Sequence, residues 1–274
     1  MPIFKLNSRK MSYDDYGSGP LILLLHGSPG TAKSWEPVGK RLAGRFRVIA
    51  PDLPGYGETS PQSVGAPPEV GYAGLLIEGL MHKVGVPQIM AGYSYGGVVA
   101  LNLASRGGIP FRKLILFEPV ALKILPLAGE LEAFKKASVV FEDYISSFEK
   151  GNQQAIQKMV DFWFGPGAFD KLPPKSVSYL INETPANIRD VQATFREHYS
   201  TNTLPKIPFP VEVIVGDHSP ETTLQIGQAI ANLVRTGRLR KIKDANHAMI
   251  TTHIDAVARI IEGLISHDFA SELL

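Results

Sequence analysis

The stretch that most constrains this chain is Gln88-Ile-Met-Ala-Gly-Tyr-Ser-Tyr-Gly-Gly97. Ile89 to Ala91 reads as the end of a buried strand, and Gly97-Val-Val-Ala-Leu-Asn-Leu-Ala104 reads as the start of an apolar-faced helix. Between them Gly92-Tyr93-Ser94-Tyr95-Gly96 forms the pattern G-x-S-x-G. A strand-to-helix turn this tight holds its serine in strained backbone geometry, with the hydroxyl projecting out of the sheet. The glycines are required because side chains there would collide with neighbouring backbone. The following helix also points its first N–H groups at whatever reacts with Ser94. With 26 glycines in 274 residues, the pattern alone arises by chance in about one such chain in six. The pentapeptide by itself therefore reads equally well as a surface turn, and its context has to decide.

Length fits one large α/β domain, or such a domain with an inserted lid. Hydrophobic content of 44% against 20% charged residues supplies a sizeable core and argues against disorder. A net charge of +2 without a basic cluster argues against nucleic acid or an anionic membrane as a partner. The chain has no cysteine, which excludes a disulfide scaffold, a thiol nucleophile and thiolate metal sites, and fits a reducing compartment. Met1-Pro-Ile-Phe-Lys-Leu-Asn7 lacks the apolar stretch of a signal peptide, and no run approaches the ~18 apolar residues of a membrane span. The expectation is a soluble, cytoplasmic protein.

Strand signals and helix signals alternate along the chain. Phe4 to Leu6 and Lys10 to Tyr13 read as short strands, and Leu21-Ile-Leu-Leu-Leu25 as a strand covered on both faces. It ends in His26-Gly-Ser-Pro-Gly30, with a helix expected over 34–42. Arg47-Val-Ile-Ala50 leads into Pro51-Asp-Leu-Pro-Gly-Tyr-Gly-Glu-Thr-Ser60, and a helix over 71–84 feeds the strand that carries Ser94. Lys113 to Glu118 is the next strand. Later come Val211 to Gly216, a helix near 221–234, Leu239 to Lys243 and a closing helix over about 253–266. Such alternation predicts a mainly parallel sheet with helices on both faces.

Between 121 and 205 the strand signal disappears. Helical periodicity covers about 128–150 and 152–163 and, more faintly, 186–198. The chain thus divides into an α/β core, 1–120 with 206–274, and a helical cap, 121–205. Ligands bind at the C-terminal ends of parallel strands in open α/β sheets, so an insert there would cover Ser94. Most of its aromatics are expected to form the cap's own core. Trp163 and Phe164, followed by Gly165-Pro-Gly167, are the candidates for facing a pocket.

The chain resembles the α/β-hydrolase superfamily over nearly its whole length. The matching features are His26-Gly-Ser-Pro-Gly30, the run from Pro51 to Ser60, the Ser94 turn, Glu118-Pro119 at a strand end, and Asn246-His-Ala-Met249. The similarity is to the branch with a helical lid between the sixth and seventh strands of a mostly parallel eight-stranded sheet. It implies a serine nucleophile, a late histidine base, an acid and a backbone oxyanion hole. Epoxide hydrolases and haloalkane dehalogenases of the superfamily place aspartate at the turn, and Ser94 cannot do their chemistry. Acyl transfer is what a serine supports.

His247, in the loop before the final helix, matches the family's base. His253, six residues on, reads as structural. The family's acid usually closes a Gly-x-x-Asp loop, but here the loop reads Gly216-Asp-His-Ser219, with serine in the acid's place. Glu118, beside the nucleophile strand, is the first choice for the missing carboxylate on reach to the imidazole, and Asp217 is the alternative. The oxyanion donors implied are the N–H groups of Tyr95 and Ser28, with the Ser28 hydroxyl a further candidate. His26 and Tyr93 are placed at the pocket, His26 also as an organiser of its own loop. No metal-ligand spacing is present.

The resemblance implies a serine hydrolase acting on a small-molecule substrate, a small, fairly apolar ester or related acyl compound, with no cofactor, and the chain is expected as a monomer or homodimer. The same triad also serves C–C bond hydrolysis, perhydrolysis and hydroxynitrile lysis in relatives. A receptor-like ligand-binding protein is a third reading, prompted by the missing Gly-x-x-Asp carboxylate.

Overall fold

The computed structural model describes residues 1–107 and 111–271. Two antiparallel strands, β1 (Ile3–Leu6) and β2 (Arg9–Tyr16), open the chain. Then β3 (Leu21–Leu25), α1 (Glu36–Leu42) and β4 (Arg47–Pro51) are followed by α2 (Val70–Val84), β5 (Ile89–Tyr93), α3 (Tyr95–Arg106) and β6 (Lys113–Phe117). A helical stretch comes next, with α4 (Leu131–Glu149), α5 (Gln157–Phe164) and α6 (Pro174–Arg196). The sheet resumes with β7 (Val211–Gly216), α7 (Glu221–Leu233) and β8 (Gly237–Ile242), and the chain closes with α8 (Met249–Thr252) and α9 (Ile254–Ser271).

The strands lie in the order β1-β2-β4-β3-β5-β6-β7-β8. β2 pairs antiparallel with both β1 and β4, and every other pairing is parallel. The apolar strand runs have a simple cause: successive side chains point to opposite faces, and both faces are covered. Leu23, Met90, Leu114 and Val211 fall in register across the sheet and bury into the side that holds α2 and α3. Ile22, Leu24, Ile89, Ala91, Ile115 and Phe117 bury into the other side, with α1 and α9. Each fully buried Leu or Ile contributes about 1.5–3 kcal/mol, so a slip of one residue in any central strand is heavily penalised.

The loops at the strands' C-terminal ends are fixed by buried polar groups. Asp52 is 1% exposed. Its carboxylate accepts from the Ala32 N–H at 2.7 Å and from the Ser12 hydroxyl at 2.7 Å. His26 Nε2 accepts from the Leu53 N–H at 2.8 Å. The loops after β3 and β4 are thereby tied together beside β5.

The helical stretch departs from expectation in one element. The sequence predicts a faint helix over 186–198, whereas α6 spans Pro174–Arg196 and runs through Pro185. Pro174 occupies the first helical position, where a missing N–H costs nothing. Pro185 inside the pattern, which ordinarily breaks a helix, hid its continuity. Packing of one face against the core, with Thr184, Asn187, Ile188, Ala193 and Thr194 buried, overrides that penalty.

Candidate active site

The turn between β5 and α3 has the strain its sequence demands. Ser94 sits at φ 53°, ψ −119°, a conformation that costs an L-residue on the order of 1–3 kcal/mol. A side chain at Gly92 would strike the Gly96 carbonyl, and one at Gly96 would strike the carbonyls of Leu25 and His26. The helix therefore packs directly on the strand ends, and the Ser94 side chain has one way out. Ser94 is 6% exposed.

His247, in the loop between β8 and α8, meets it. Its Nε2 lies 3.2 Å from Ser94 Oγ and its Nδ1 3.1 Å from Glu118 Oε2. A carboxylate can only accept, so Nδ1 carries the hydrogen and Nε2 is left to accept from the serine. Glu118 is fully buried just past the end of β6, itself at positive φ, 49°. Its other oxygen accepts from the Gly216 N–H at 2.6 Å and the Ser219 hydroxyl at 2.7 Å. Three donors converge on one carboxylate, and this holds it in place.

Asp217, the alternative carboxylate, is not brought to the imidazole. It is exposed, two residues short of the position that faces Glu118, in a surface cluster with His218 and Asp244. Its backbone N–H is bound to the Ile242 carbonyl. That pairing directs the side chain to solvent.

Tyr93 holds His247 from behind. Its hydroxyl donates to the His247 carbonyl at 2.6 Å, and its ring lies 5.2 Å from the imidazole. From above, Trp163 stacks on the imidazole at 5.5 Å and 19°, and Phe164 meets it edge-on at 5.0 Å. Trp163 and Phe164 end α5, so the helical stretch supplies the roof of the site.

The loop carrying Ser28 passes against Ser94: a side chain at Gly27 would sit 3.0 Å from Ser94 Cβ. Tyr95 is the first residue of α3, and its N–H has no carbonyl one turn earlier to bind. The Ser28 hydroxyl is committed elsewhere. It receives a hydrogen bond from Asn187 Nδ2 at 2.9 Å and lies 2.8 Å from the Tyr56 hydroxyl, which itself donates to Asp190 Oδ2 at 2.7 Å. That leaves only its N–H for an oxyanion. His26, expected at the pocket, is fully buried behind the loop. Burial lowers its imidazole to about 4, which keeps it neutral. Since Nε2 accepts from Leu53, Nδ1 donates to the Gly27 carbonyl at 2.7 Å. Its work is to hold the loop.

Nothing in the sequence marks Asp190 as part of the site. It comes from α6 and reaches the Tyr56 and Tyr95 hydroxyls beside Ser94. Burial raises its carboxyl to about 7, against the opposing hydrogen bonds of Ser28, Tyr56 and Tyr95. A lone aspartate in a polar helix carries no local signal of such a contact. Asn187 was missed for the same reason.

Over Ser94 and His247 opens a cavity of about 510 Å³, walled by Val160, Trp163, Phe164, Leu172 and Leu180 among others. Its volume falls in the range of small-molecule sites. Among the described residues no helix is long and apolar enough to cross a membrane.

Residues 22–260 match the alpha/beta hydrolase family. The chain belongs to that family. It is similar to the magnesium-chelatase 30 kDa subunit of Rhodobacter capsulatus, at 26% identity over 89% of this chain and 86% of that protein. It is equally similar to the pimeloyl-[acyl-carrier protein] methyl ester esterase of Methylococcus capsulatus, at 26% identity over 91% and 96%. Among solved structures, an esterase from Exiguobacterium antarcticum superposes with a TM-score of 0.73 at 19% identity, covering 97% of each chain. The alpha/beta hydrolase assignment makes this protein an enzyme of the hydrolase class, with its eight-stranded sheet and flanking helices as the family fold.

Proposed function

We propose that this hydrolase cleaves a small, fairly apolar ester through an acyl-enzyme at Ser94, with His247 as base, Glu118 as acid and the Ser28 and Tyr95 N–H groups as oxyanion hole. The observation that carries it is the unbroken line from Ser94 Oγ through His247 to Glu118, set beneath a cavity with apolar walls. Esterase activity in the Methylococcus capsulatus relative agrees with it.

In this reading Ser94 Oγ attacks the ester carbonyl while His247 Nε2 takes its proton. Glu118 holds the imidazole in the required tautomer and balances the imidazolium, and the Trp163 ring face adds cation–π attraction. The carbonyl oxygen gains negative charge between the two N–H groups, each worth roughly 2.7–4 kcal/mol. His247 then protonates the departing alkoxide oxygen, and the C–O bond breaks. Water adds to the acyl carbon, giving its proton to His247, and Ser94 leaves with that proton restored. Residues 121–205 serve as a lid that excludes bulk water from these charges.

A fluorophosphonate probe tests the assignment. Labelling of the wild type that vanishes in Ser94→Ala is expected. Folded wild type that takes no label would overturn the reading in favour of a ligand-binding protein, and a ligand that raises thermal stability without being consumed would then be sought.

A further inference from the structure

Two cavities of very different size meet at Ser94. The large one holds about 510 Å³ and the second about 30 Å³. Ser28, Ser94, Met159 and Trp163 border both. Beyond those shared walls the two sides differ chemically. His247 and Asn246 line only the large chamber, and Tyr95 lines only the small one.

That asymmetry fixes the direction in which an ester lies. The tetrahedral carbon bonded to Ser94 carries three further groups: the oxyanion, the alkoxy oxygen and the acyl chain. The oxyanion belongs between the Ser28 and Tyr95 N–H groups. The alkoxy oxygen must receive its proton from His247 Nε2 as the C–O bond breaks, so the alcohol lies on the His247 side. The acyl chain is left with the side that His247 does not touch.

We propose that the small chamber is the acyl site and the large chamber the alcohol site, so that the substrates are short-chain acyl esters, acetate or propionate in length, of bulky and largely apolar alcohols. This deepens the serine-hydrolase reading and rests on it. A space of about 30 Å³ holds on the order of two water-sized groups, the size of an acetyl methyl or an ethyl group. Its walls do not yield easily. Val120, Leu122 and Phe141 are buried. The wall given by α6 is tied to the oxyanion loop through Asn187 to Ser28 and to the loop after β4 through Asp190 to Tyr56. The large chamber instead opens past Phe164, Pro166 and Lys171, which are exposed, so the alcohol has room to extend.

The experiment measures kcat/KM for 1-naphthyl acetate, butyrate, hexanoate and octanoate, alongside fluorophosphonate labelling of the same preparation. It adds one reversed pair of alkyl esters with similar leaving groups: 2-(1-naphthyl)ethyl acetate against ethyl 3-(1-naphthyl)propanoate. The acetate is expected to exceed the hexanoate at least tenfold, and the naphthylethyl acetate to exceed its reversed partner by a similar factor. Val191→Ala and Phe195→Ala widen the small chamber and are expected to raise the hexanoate-to-acetate ratio about fivefold or more. A loss of general packing would lower both rates and leave the ratio unchanged. Rates that stay level or rise with acyl length, or a faster reversed ester, overturn the inference while labelling of Ser94 keeps the hydrolase reading intact. Labelling without turnover of any of these esters overturns the inference as well. Absence of both labelling and turnover overturns the two together.

Discussion

The Ser219 hydroxyl donates to Glu118 Oε1 at 2.7 Å. Relatives of the common pattern carry aspartate at the position Ser219 fills, and here that position supports a carboxylate supplied by the adjacent strand instead. The carboxylate beside His247 thus comes from the end of β6, and a hydrogen-bond donor stands after β7. Gly216 adds its N–H to the same oxygen at 2.6 Å.

Glu118→Gln should therefore lower kcat by about 10⁴, the scale found when a triad carboxylate becomes an amide and the wrong tautomer is stabilised. Ser219→Ala removes one donor to a charged group, an effect of about 1.5 kcal/mol or somewhat more, so kcat should fall roughly tenfold with KM little changed. Asp217→Asn should stay within about twofold, as expected for an exposed side chain away from the chemistry. Steady-state kinetics on the three variants decides the matter, and an Asp217→Asn loss matching that of Glu118→Gln would remove Glu118 from the triad.

Gly96→Ala and Gly92→Ala place a methyl group onto backbone carbonyls that cannot retreat. Both should lose more than the about 1–3 kcal/mol of ordinary overpacking and yield little folded protein. Gly44→Ala is the control: a Cβ there meets nothing within 4 Å, and its melting temperature should stay close to wild type. Thermal unfolding of the three checks this.

Asp190 ties stability to pH. Its carboxyl is raised to about 7 when folded, chiefly by burial, against about 3.9 for an unfolded aspartate. Between those values the folded state binds the extra proton, so its contribution is fully present below about pH 4 and is lost as pH rises through about 7. The groups facing it are the Tyr56, Tyr95 and Ser28 hydroxyls, with Arg189 as the neighbouring charge. Asp190→Asn removes this titration. The stability of wild type minus that of the variant should fall between pH 4 and pH 7 by up to a few kcal/mol, at no more than about 1.4 kcal/mol per pH unit. Urea titrations at several pH values measure it, and a difference that is flat or rises with pH would show that Asp190 is ionised throughout.

Trp163 and Phe164 should separate stability from activity. Trp163 is 4% exposed and Phe164 36% exposed, yet both rings touch His247. Trp163→Ala should cost about 3–5 kcal/mol of stability together with activity. Phe164→Ala should leave the melting temperature nearly unchanged and raise KM. Calorimetry paired with kinetics distinguishes the two.

The Ser94 turn was legible because everything it needs lies within five residues. Glycines at both ends and a strand before a helix fix the backbone, and the backbone fixes the hydroxyl. Leu21 to Leu25, Ile89 to Ala91 and Val211 to Gly216 were legible for a similar reason, since burial on both faces leaves a continuous apolar run. The nearness of His247 to Ser94 followed from its place in the chain order. The partner of His247 was a different kind of problem. Glu118 lies 129 residues from it, and only the pairing of β6 with β7 brings Glu118, Gly216 and Ser219 to one point. The polar wall made by Asp190 and Asn187 depends in the same way on how α6 docks over the sheet. Local spacing dictates backbone geometry, but contacts between distant residues are set by sheet register and helix packing, and these take shape only when the whole core closes.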